Sequence, residues 1–182
     1  MARNFQGSIG GRLMGVLNWL FGEGLKSNLE STTEKSQMSK YLITFEDTAI
    51  IRDFEGERLA AYKCPAGVWT ISYGLTGPDI KGGLVITKEQ SKEMFMNRIQ
   101  YFIDNIEPLL KEQLTNNQFL AILSFVWNIG IGAFTKSTLL KLINARKFNE
   151  ASEQFIRWNK AGGKVLFGLT RRRIAEKHLF LS

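Results

Sequence analysis

The sequence has few of the side chains from which common catalytic and metal centres are built. It contains one cysteine, Cys64, and one histidine, His178, among 182 residues. A single cysteine excludes a disulfide within the chain and a cysteine-rich zinc site. Because His178 stands near the C-terminus, apart from any cluster of acids and nucleophiles, we expect neither a Ser–His–Asp hydrolase nor a multi-histidine metal site. We expect neither a metal ion nor an organic cofactor.

Long apolar runs are also missing, since no stretch reaches the roughly 20 residues that a membrane-spanning helix needs. We therefore expect no integral membrane protein. Hydrophobic residues make up 44% of the chain and charged residues 23%, which argues against disorder throughout the chain. The length suits one ordinary domain with a hydrophobic core and an added tail.

Acidic residues are in deficit, because Lys and Arg number 24 against 17 for Asp and Glu, which gives a net charge of +7. A positive field favours polyanionic partners, whether nucleic acid, anionic lipid or an acidic cell-wall polymer, without choosing among them. Much of the excess lies near the C-terminus, where Glu176 is the one acid among a group of cations. These are Arg157, Lys160, Lys164, Arg171, Arg172, Arg173 and Lys177. The stretch is either a solvated helix face or a functional basic surface.

Residues 1–40 differ from the rest of the chain. Glycines surround a short apolar segment, residues 13–21, and a polar linker follows at residues 27–39. The apolar residues of the segment that share one helical face are Leu13, Met14, Leu17, Leu20 and Phe21. A signal peptide is a poor interpretation, because Asn18 and Trp19 interrupt the apolar stretch. A helix on a membrane surface is a second interpretation. A helix that docks on another protein, or packs on its own domain, is the preferred one.

The sequence pattern of residues 41–182 predicts an α+β domain that is mostly helical. Thr44 is expected to cap a helix that runs to Phe54. Two β-prone runs, residues 59–63 and 68–73, flank a turn that contains proline and glycine. This pattern indicates a β-hairpin.

From Thr87 onward the pattern is helical. Thr87 and Gln90 have the spacing of a capping box at the start of a long helix, residues 88–106. Further helices are expected at residues 116–127, 137–144, 148–160 and 170–180. The predicted architecture is therefore a small β-hairpin lobe and a larger helical lobe, joined by the long helix, with a cleft between the lobes.

Glu55 is the side chain at which acid–base chemistry is most readily placed. It ends the first predicted helix, between Phe54 and Gly56, and a cleft between two lobes is a common place for a polymer substrate. A carboxyl that emerges from an apolar helix end into a cleft has its charged form disfavoured. It can therefore hold a proton and act as a general acid. The alternative is an ordinary surface glutamate in an acidic patch with Asp53 and Glu57.

Residues 54–74 read FEGERLAAYKCPAGVWTISYG. This run resembles the active-site segment of the phage-type lysozymes, glycoside hydrolase family 24, whose pattern is close to E-G-x-x-L-x-A-Y-x-D-x-x-G-x-x-T-I-G-Y-G-H. Segments further along resemble the family in the same order. They are residues 117–119, 124–130, 137–140, 157–158, 161–163, 168–169 and 171–172. The resemblance covers residues 44–182.

The resemblance implies a lysozyme-like fold and three catalytic positions, which fall on Glu55, Cys64 and Thr70. Glu55 would protonate the leaving oxygen of a glycosidic bond, while a second group stabilises the transition state or activates water. Thr70 would hold that water on the opposite face. Three positions depart from the family, because Cys64 replaces the usual aspartate, Ser72 the usual glycine and Leu75 the usual histidine.

Cysteine at position 64 changes the expected chemistry. A thiol with an unperturbed pKa of about 8.5 is mostly neutral at pH 7, unless a neighbouring cation or dipole lowers that pKa. Cys64 therefore either weakens catalysis or supplies a thiolate base or nucleophile. Relatives with membrane-release N-termini are similar in bearing cysteine here while remaining enzymes, which favours activity. Trp127 and Asn128, at a helix end facing the cleft, are expected saccharide contacts.

The resemblance implies a muramidase, monomeric in its catalytic domain, that cleaves the β-1,4 bond between N-acetylmuramic acid and N-acetylglucosamine in bacterial peptidoglycan. It would act as an endolysin, passing from the host cytoplasm to the periplasm and cell wall, or be carried in the virion. Residues 1–40 would contact a virion protein or a membrane surface. The alternative is a catalytically impaired protein of the same fold that binds the wall or forms part of the virion. Nucleic-acid binding through Arg171–Arg173 rests on charge alone and is not expected.

Overall fold

The computed structural model describes residues 39–182, and the interpretations offered for residues 1–38 lie outside this part of the chain. Its helices are α1 Ala49–Glu55, α2 Lys88–Ile106, α3 Asn116–Ile129, α4 Ile131–Thr135, α5 Thr138–Ile143, α6 Phe148–Gln154 and α7 Phe167–Leu181. Its strands are β1 Arg58–Lys63, β2 Trp69–Ser72, β3 Leu75–Thr76, β4 Lys160–Ala161 and β5 Lys164–Val165. Two 3₁₀ helices lie at Glu107–Leu109 and Phe155–Trp158. The predicted fold class, α+β and mostly α, is confirmed.

The β lobe is a three-stranded antiparallel sheet in the order β1-β2-β3. The predicted hairpin is confirmed, with Tyr62 on β1 opposite Thr70 on β2. The Cys64 N–H closes its turn by donating to the Val68 carbonyl at 2.9 Å. Gly67 in this turn has a φ of +79°, a conformation that glycine adopts without steric cost. The third strand is two residues long and therefore leaves no recognisable alternation in the sequence.

Helix α2 joins the β lobe to the helical lobe. It begins with the predicted capping box, in which the Gln90 N–H donates to the Thr87 hydroxyl at 3.2 Å and the Thr87 N–H donates to the Gln90 side chain at 2.8 Å. Near its start the buried Ser91 hydroxyl lies 2.8 Å from the hydroxyl of Ser72 on β2. Further along, Phe95 and Ile99 are fully buried in the core of the helical lobe. Both lobes are thereby fixed to one rigid element.

Helix α3 is the centre of the helical lobe. Every residue from 119 to 126 is buried, and both α2 and α7 pack against this helix. The Phe125 ring packs edge-on against Phe155, with 5.2 Å between ring centroids. Tyr41 stacks on Phe119 at 3.8 Å, and its hydroxyl accepts a hydrogen bond from the Leu114 N–H at 3.0 Å. The chain just before α1 therefore belongs to the same core.

The first helix begins later than the sequence predicts. Thr44 does form capping hydrogen bonds, because its hydroxyl accepts from the Asp47 N–H at 3.3 Å and its own N–H donates to the Asp47 carboxylate at 2.8 Å. The next residues form tight turns, in which the Thr48 N–H donates to the Phe45 carbonyl at 3.2 Å. These hydrogen bonds join residues three apart in the sequence, whereas those of an α-helix join residues four apart. Regular helix α1 therefore starts at Ala49.

Helix boundaries near the C-terminus also differ from the prediction. The helix predicted over residues 148–160 ends at Gln154, a 3₁₀ helix follows, and Lys160 already lies in β4. Gly162 and Gly163, with φ of +55° and +77°, form the turn between β4 and β5. Helix α7 then starts at Phe167 instead of the predicted Thr170. None of the helices in residues 39–182 has the length and apolar character needed to cross a membrane.

Candidate active site

Glu55 lies where three separate parts of the fold meet. It is the last residue of α1, which ends because Gly56 takes a φ of +69° while its N–H still donates to the Arg52 carbonyl at 2.9 Å. The Glu55 side chain is 21% exposed, and its Oε1 accepts a hydrogen bond from Nη1 of Arg172 on α7 at 2.6 Å. The carboxyl is therefore neither buried nor free in solvent, and one of its oxygens is fixed by the helical lobe.

The second oxygen of Glu55 lies against the turn between β2 and β3. Gly74 in this turn has a φ of +83°, and a Cβ at its position would stand 3.2 Å from Glu55 Oε2. Within residues 39–182, no group donates a hydrogen bond to Oε2. Glycine at position 74 thus serves both the turn and the close approach to the carboxyl. Glu55 is therefore held through Oε1, while Oε2 lies beside the Gly74 turn.

Arg172 is itself held by a buried polar network between α7 and α3. Its Nε donates to Glu176 Oε1 at 3.1 Å, and its Nη2 donates to the Ser124 carbonyl at 2.9 Å. The Ser124 hydroxyl donates to the same Glu176 oxygen at 2.8 Å. Arg173 Nη1 lies 2.9 Å from Glu176 Oε2. Two guanidiniums and two carboxylates, those of Glu55 and Glu176, therefore share one cluster.

Three of these charges, those of Arg172, Arg173 and Glu176, are taken out of water, and the pKa values of Arg173 and Glu176 reflect their burial. Burial lowers the pKa of Arg173 to about 10, with Glu176 opposing the change, so the guanidinium remains charged at neutral pH. Burial raises the pKa of Glu176, and the guanidiniums of Arg173 and Arg172 offset part of that rise. The ion pairs are what make burial of these charges tolerable, because an isolated buried charge is strongly unfavourable.

Cys64 and Thr70 come together at the other end of β2. Hydrogen bonds from the backbone of Val68 and Ala66 lower the pKa of the Cys64 thiol below its ordinary value, and the Thr70 hydroxyl adds to this effect. Thr70 is buried and its hydroxyl also donates to the Val68 carbonyl at 3.0 Å. Cys64 thus lies in the hairpin turn and Thr70 follows this turn on β2, whereas Glu55 lies near the opposite end of β2.

Two departures from the expected pattern fit their surroundings. Ser72 takes a φ of +55°, a left-handed conformation that favours glycine. Its hydroxyl contacts the Ser91 hydroxyl at 2.8 Å and donates to the Ser91 carbonyl at 3.1 Å, and these contacts help to hold it there. Leu75 is buried in an apolar cluster with Ile71 and Ile80. An apolar side chain thus packs against apolar neighbours where the family usually has histidine.

The two expected saccharide contacts lie at the C-terminal end of α3. Trp127 is half-buried, with its ring 5.1 Å from the Phe95 ring and 5.4 Å from the Phe102 ring. Asn128 is exposed, and its Oδ1 accepts a hydrogen bond from Nη2 of Arg173. Each residue therefore has a packing or bonding partner of its own, and Asn128 keeps its amide N–H groups for another acceptor.

The residues that orient Glu55 are ones that sequence reasoning missed. The cluster Arg171–Arg173 was assigned to the surface as a whole, whereas Arg172 and Arg173 are buried and only Arg171 is exposed. One signal was present, because Glu176 follows Arg172 by four residues and Arg173 by three, the spacings that place side chains on one helix face. Gly74 left no comparable signal, because its role depends on a contact across the fold.

Comparison with known proteins gives the same result from sequence and from structure. Residues 52–176 match the family model described as phage lysozyme. The endolysin of Acyrthosiphon pisum secondary endosymbiont phage 1 is 44% identical over 144 residues, which cover 77% of this chain and 98% of that protein. The endolysin of Bacillus phage B103 is 42% identical over 135 residues, which cover 73% of this chain and 51% of that protein. The chain therefore spans about half the length of that relative.

A solved structure is also similar. The muramidase domain of SpmX from Asticaccaulis excentricus superimposes with a TM-score of 0.72 and 34% identity, covering 79% of this chain and 99% of that domain. The lysozyme-like fold that the sequence predicts is thereby confirmed.

Proposed function

Because this chain belongs to the phage lysozyme family, we propose that it is a muramidase of bacterial peptidoglycan. The bond cleaved would be the β-1,4 bond between N-acetylmuramic acid and N-acetylglucosamine. The observation that carries the proposal is the geometry of Glu55, whose Oε1 is bound by Arg172 while Oε2 faces the Gly74 turn and accepts no hydrogen bond from residues 39–182. A general acid needs one oxygen that can carry a proton to the substrate and a support that fixes its direction.

In the proposed reaction Glu55 Oε2 gives its proton to the glycosidic oxygen as the bond from that oxygen to the anomeric carbon breaks. Water attacks the anomeric carbon from the opposite face and loses a proton to the Cys64 thiolate. The Thr70 hydroxyl holds this water. The thiolate is a suitable base because backbone hydrogen bonds lower the pKa of Cys64, which raises the ionised fraction near neutral pH.

Saccharide binding is assigned to the end of α3. Trp127 would offer the part of its ring that the Phe95 and Phe102 contacts leave uncovered, since aromatic rings pack well against the apolar faces of sugars. Asn128 would donate from its amide nitrogen, because its oxygen is engaged by Arg173. Neither assignment requires the two side chains to leave the positions that they hold in the structure.

The proposed setting is the lysis of a bacterial host. The relatives described above are named endolysins, and an endolysin acts on the cell wall after it leaves the host cytoplasm. Residues 41–182 would be the catalytic domain, monomeric and acting on peptidoglycan, and residues 1–40 would direct it to a membrane surface or a virion protein. Removal of residues 1–40 should leave wall cleavage intact and change the location of the protein.

Turbidity clearing of purified cell walls tests the assignment of Glu55. Glu55→Gln should lower the clearing rate by at least about 100-fold, the lower end of what a general acid contributes. Asp53→Asn is the matched control, because Asp53 is an exposed carboxyl on the same helix, and it should clear walls normally. If Glu55→Gln clears walls as fast as the wild type, the proposal is wrong. Wall binding by the wild type without release of muropeptides would support the non-cutting alternative.

A further inference from the structure

A basic surface without acidic residues borders the candidate active site. From residue 154 to residue 175 the chain contains no Asp or Glu. Arg172 and Arg173 in this stretch are buried and paired, as described above. The other four cations of the stretch are exposed, and none of them forms an ion pair within residues 39–182. They are Arg157, Lys160, Lys164 and Arg171.

Apolar side chains stand exposed in the middle of these cations. Phe167, the first residue of α7, is 82% exposed, and Val165 and Leu166 before it are exposed at 59% and 44%. Single exposed apolar residues are common on protein surfaces, but three consecutive ones around a phenylalanine form a patch, and such patches often mark interaction sites. We call Lys160, Lys164, Val165, Phe167 and Arg171 the hairpin surface.

The hairpin surface is held in place by hydrogen bonds to the start of α7. The Leu166 N–H donates to the Asn159 carbonyl at 2.9 Å, and Asn159 Nδ2 donates to the Thr170 hydroxyl at 3.2 Å. The strands β4 and β5 pair with each other in the segment between Asn159 and Leu166. The surface is therefore a hairpin whose base is joined to α7 by hydrogen bonds, which set where its backbone lies beside that helix.

The hairpin surface adjoins the surroundings of Glu55 at Arg171, and Phe167 lies one helical turn before Arg171 on α7. Phe167 and Arg171 are four residues apart on α7 and thus lie on the same side of the helix. The Arg171 guanidinium lies 5.6 Å from the centre of the Phe54 ring, and Phe54 directly precedes Glu55. Arg172, the next residue on α7, binds Glu55 itself. A polymer held at Glu55 would therefore extend past this surface.

We propose that the hairpin surface binds peptidoglycan outside the bond that is cleaved. Its cations would pair with the carboxylates of the wall peptides, and the Phe167 ring would pack on the apolar face of a sugar. A single exposed ion pair contributes little, but several cations facing a repeating anionic polymer act together. A membrane surface is the less suitable occupant, because lipid bound next to the surroundings of Glu55 would block the entry of the glycan. The inference rests on the proposed function.

Binding of the full chain to purified sacculi tests the inference in the Glu55→Gln background, which prevents digestion. Lys160→Gln/Lys164→Gln should weaken binding by about fivefold or more at low salt, and the difference should vanish in 0.5 M NaCl, because salt screens exposed charges. Lys111→Gln/Lys147→Gln removes the same charge from other exposed lysines and should bind as the parent does. Phe167→Ala should weaken binding at both salt concentrations, whereas Leu42→Ala, at an 86% exposed site, should not.

Two further binding experiments show whether the lysines bind the carboxylates of the wall or an anionic lipid. Sacculi whose carboxylates have been converted to amides should bind the Lys160→Gln/Lys164→Gln variant and its parent equally. Vesicles of anionic lipid should show no dependence on these lysines. Equal binding of all variants to untreated sacculi would overturn the inference, as would a lysine effect seen with vesicles alone. Failure of the muramidase proposal is recognised separately, because it would appear as wall clearing by Glu55→Gln in the parent chain.

Discussion

Exchanging Glu176 for glutamine tests whether the buried charges behind Glu55 act as one unit. The side chains of Glu176 and Arg173 are both 0% exposed, and their charged atoms lie 2.9 Å apart. Glu176→Gln leaves the guanidiniums of Arg172 and Arg173 facing Glu55 as the one carboxylate of the cluster. Removing one partner of a buried ion pair costs about 3–5 kcal/mol, because the remaining charge stays uncompensated. We expect a loss of that size, or a fall in Tm of roughly 10 °C.

A second substitution shows whether the loss arises from charge imbalance. Arg173→Met alone leaves Glu55 and Glu176 facing Arg172, so it should also cost several kcal/mol. Glu176→Gln together with Arg173→Met leaves one cation, Arg172, against one carboxylate, Glu55. Replacing both partners of a buried pair is often close to neutral. The double variant should therefore be more stable than either single variant, with a coupling energy of about 3 kcal/mol.

Chemical and thermal unfolding of the four proteins measures this coupling. Glu153→Gln is the control, because Glu153 pairs with Lys177 of α7 at 2.7 Å but is 64% exposed. Exposed pairs contribute at most about 1 kcal/mol, so this variant should unfold almost as the wild type does. The reasoning is refuted if Glu176→Gln loses no more stability than Glu153→Gln, or if the losses of the two buried single variants simply add.

Two further predictions concern the groups that carry the proposed chemistry. If the Cys64 thiolate is the base, activity should rise with pH as the thiol ionises, with a midpoint below the ordinary pKa of a cysteine. Cys64→Ser should then lose most wall clearing, and Cys64→Asp should keep it with the rise moved to lower pH; an unchanged pH profile in Cys64→Asp would exclude this role. Gly74→Ala should lose both stability and activity, because its φ of +83° disfavours alanine and its Cβ would stand 3.2 Å from Glu55 Oε2. Gly83→Ala has a similar φ of +86° with no atom of residues 39–182 within 4 Å, so it should lose stability alone; equal activity of the two variants would show that the contact with Glu55 has no catalytic effect.

The features of the fold that rest on contacts between residues close in the sequence could be predicted from it. The Thr87–Gln90 capping box, the hairpin around residues 64–67 and the long helix after Thr87 all rest on contacts within a few residues. Thr44 shows where such reasoning ends. Its local hydrogen bonds form as expected, but the residues after it form turns whose geometry is set by packing of the chain on the core.

The orientation of Glu55 could not be predicted, because it depends on contacts between distant parts of the chain. Arg172 is 117 residues away from Glu55. The spacing of Arg172 and Glu176 places their side chains on one helix face, but it does not indicate that Arg172 also contacts Glu55. The Gly74 contact with Glu55 is of the same kind, since it exists only once the β2–β3 turn has packed against the end of α1. Resemblance to a family located Glu55, and the fold was needed to show what holds it.

The two halves of the proposed site differ in how they depend on the fold, and this difference bears on the cysteine at position 64, where the family pattern predicts aspartate. Glu55 is fixed by a buried network that also contributes to stability, so a change there should alter folding and catalysis together. Cys64 sits in a turn closed by its own backbone N–H, and the hydrogen bonds that lower the pKa of its thiol come mainly from backbone groups of the same turn. Backbone donors stabilise any anion placed at that position, whether thiolate or carboxylate. The turn therefore favours the ionised form of either side chain through its backbone, while Glu55 and Arg172 are joined by an ion pair and cannot be varied independently of each other.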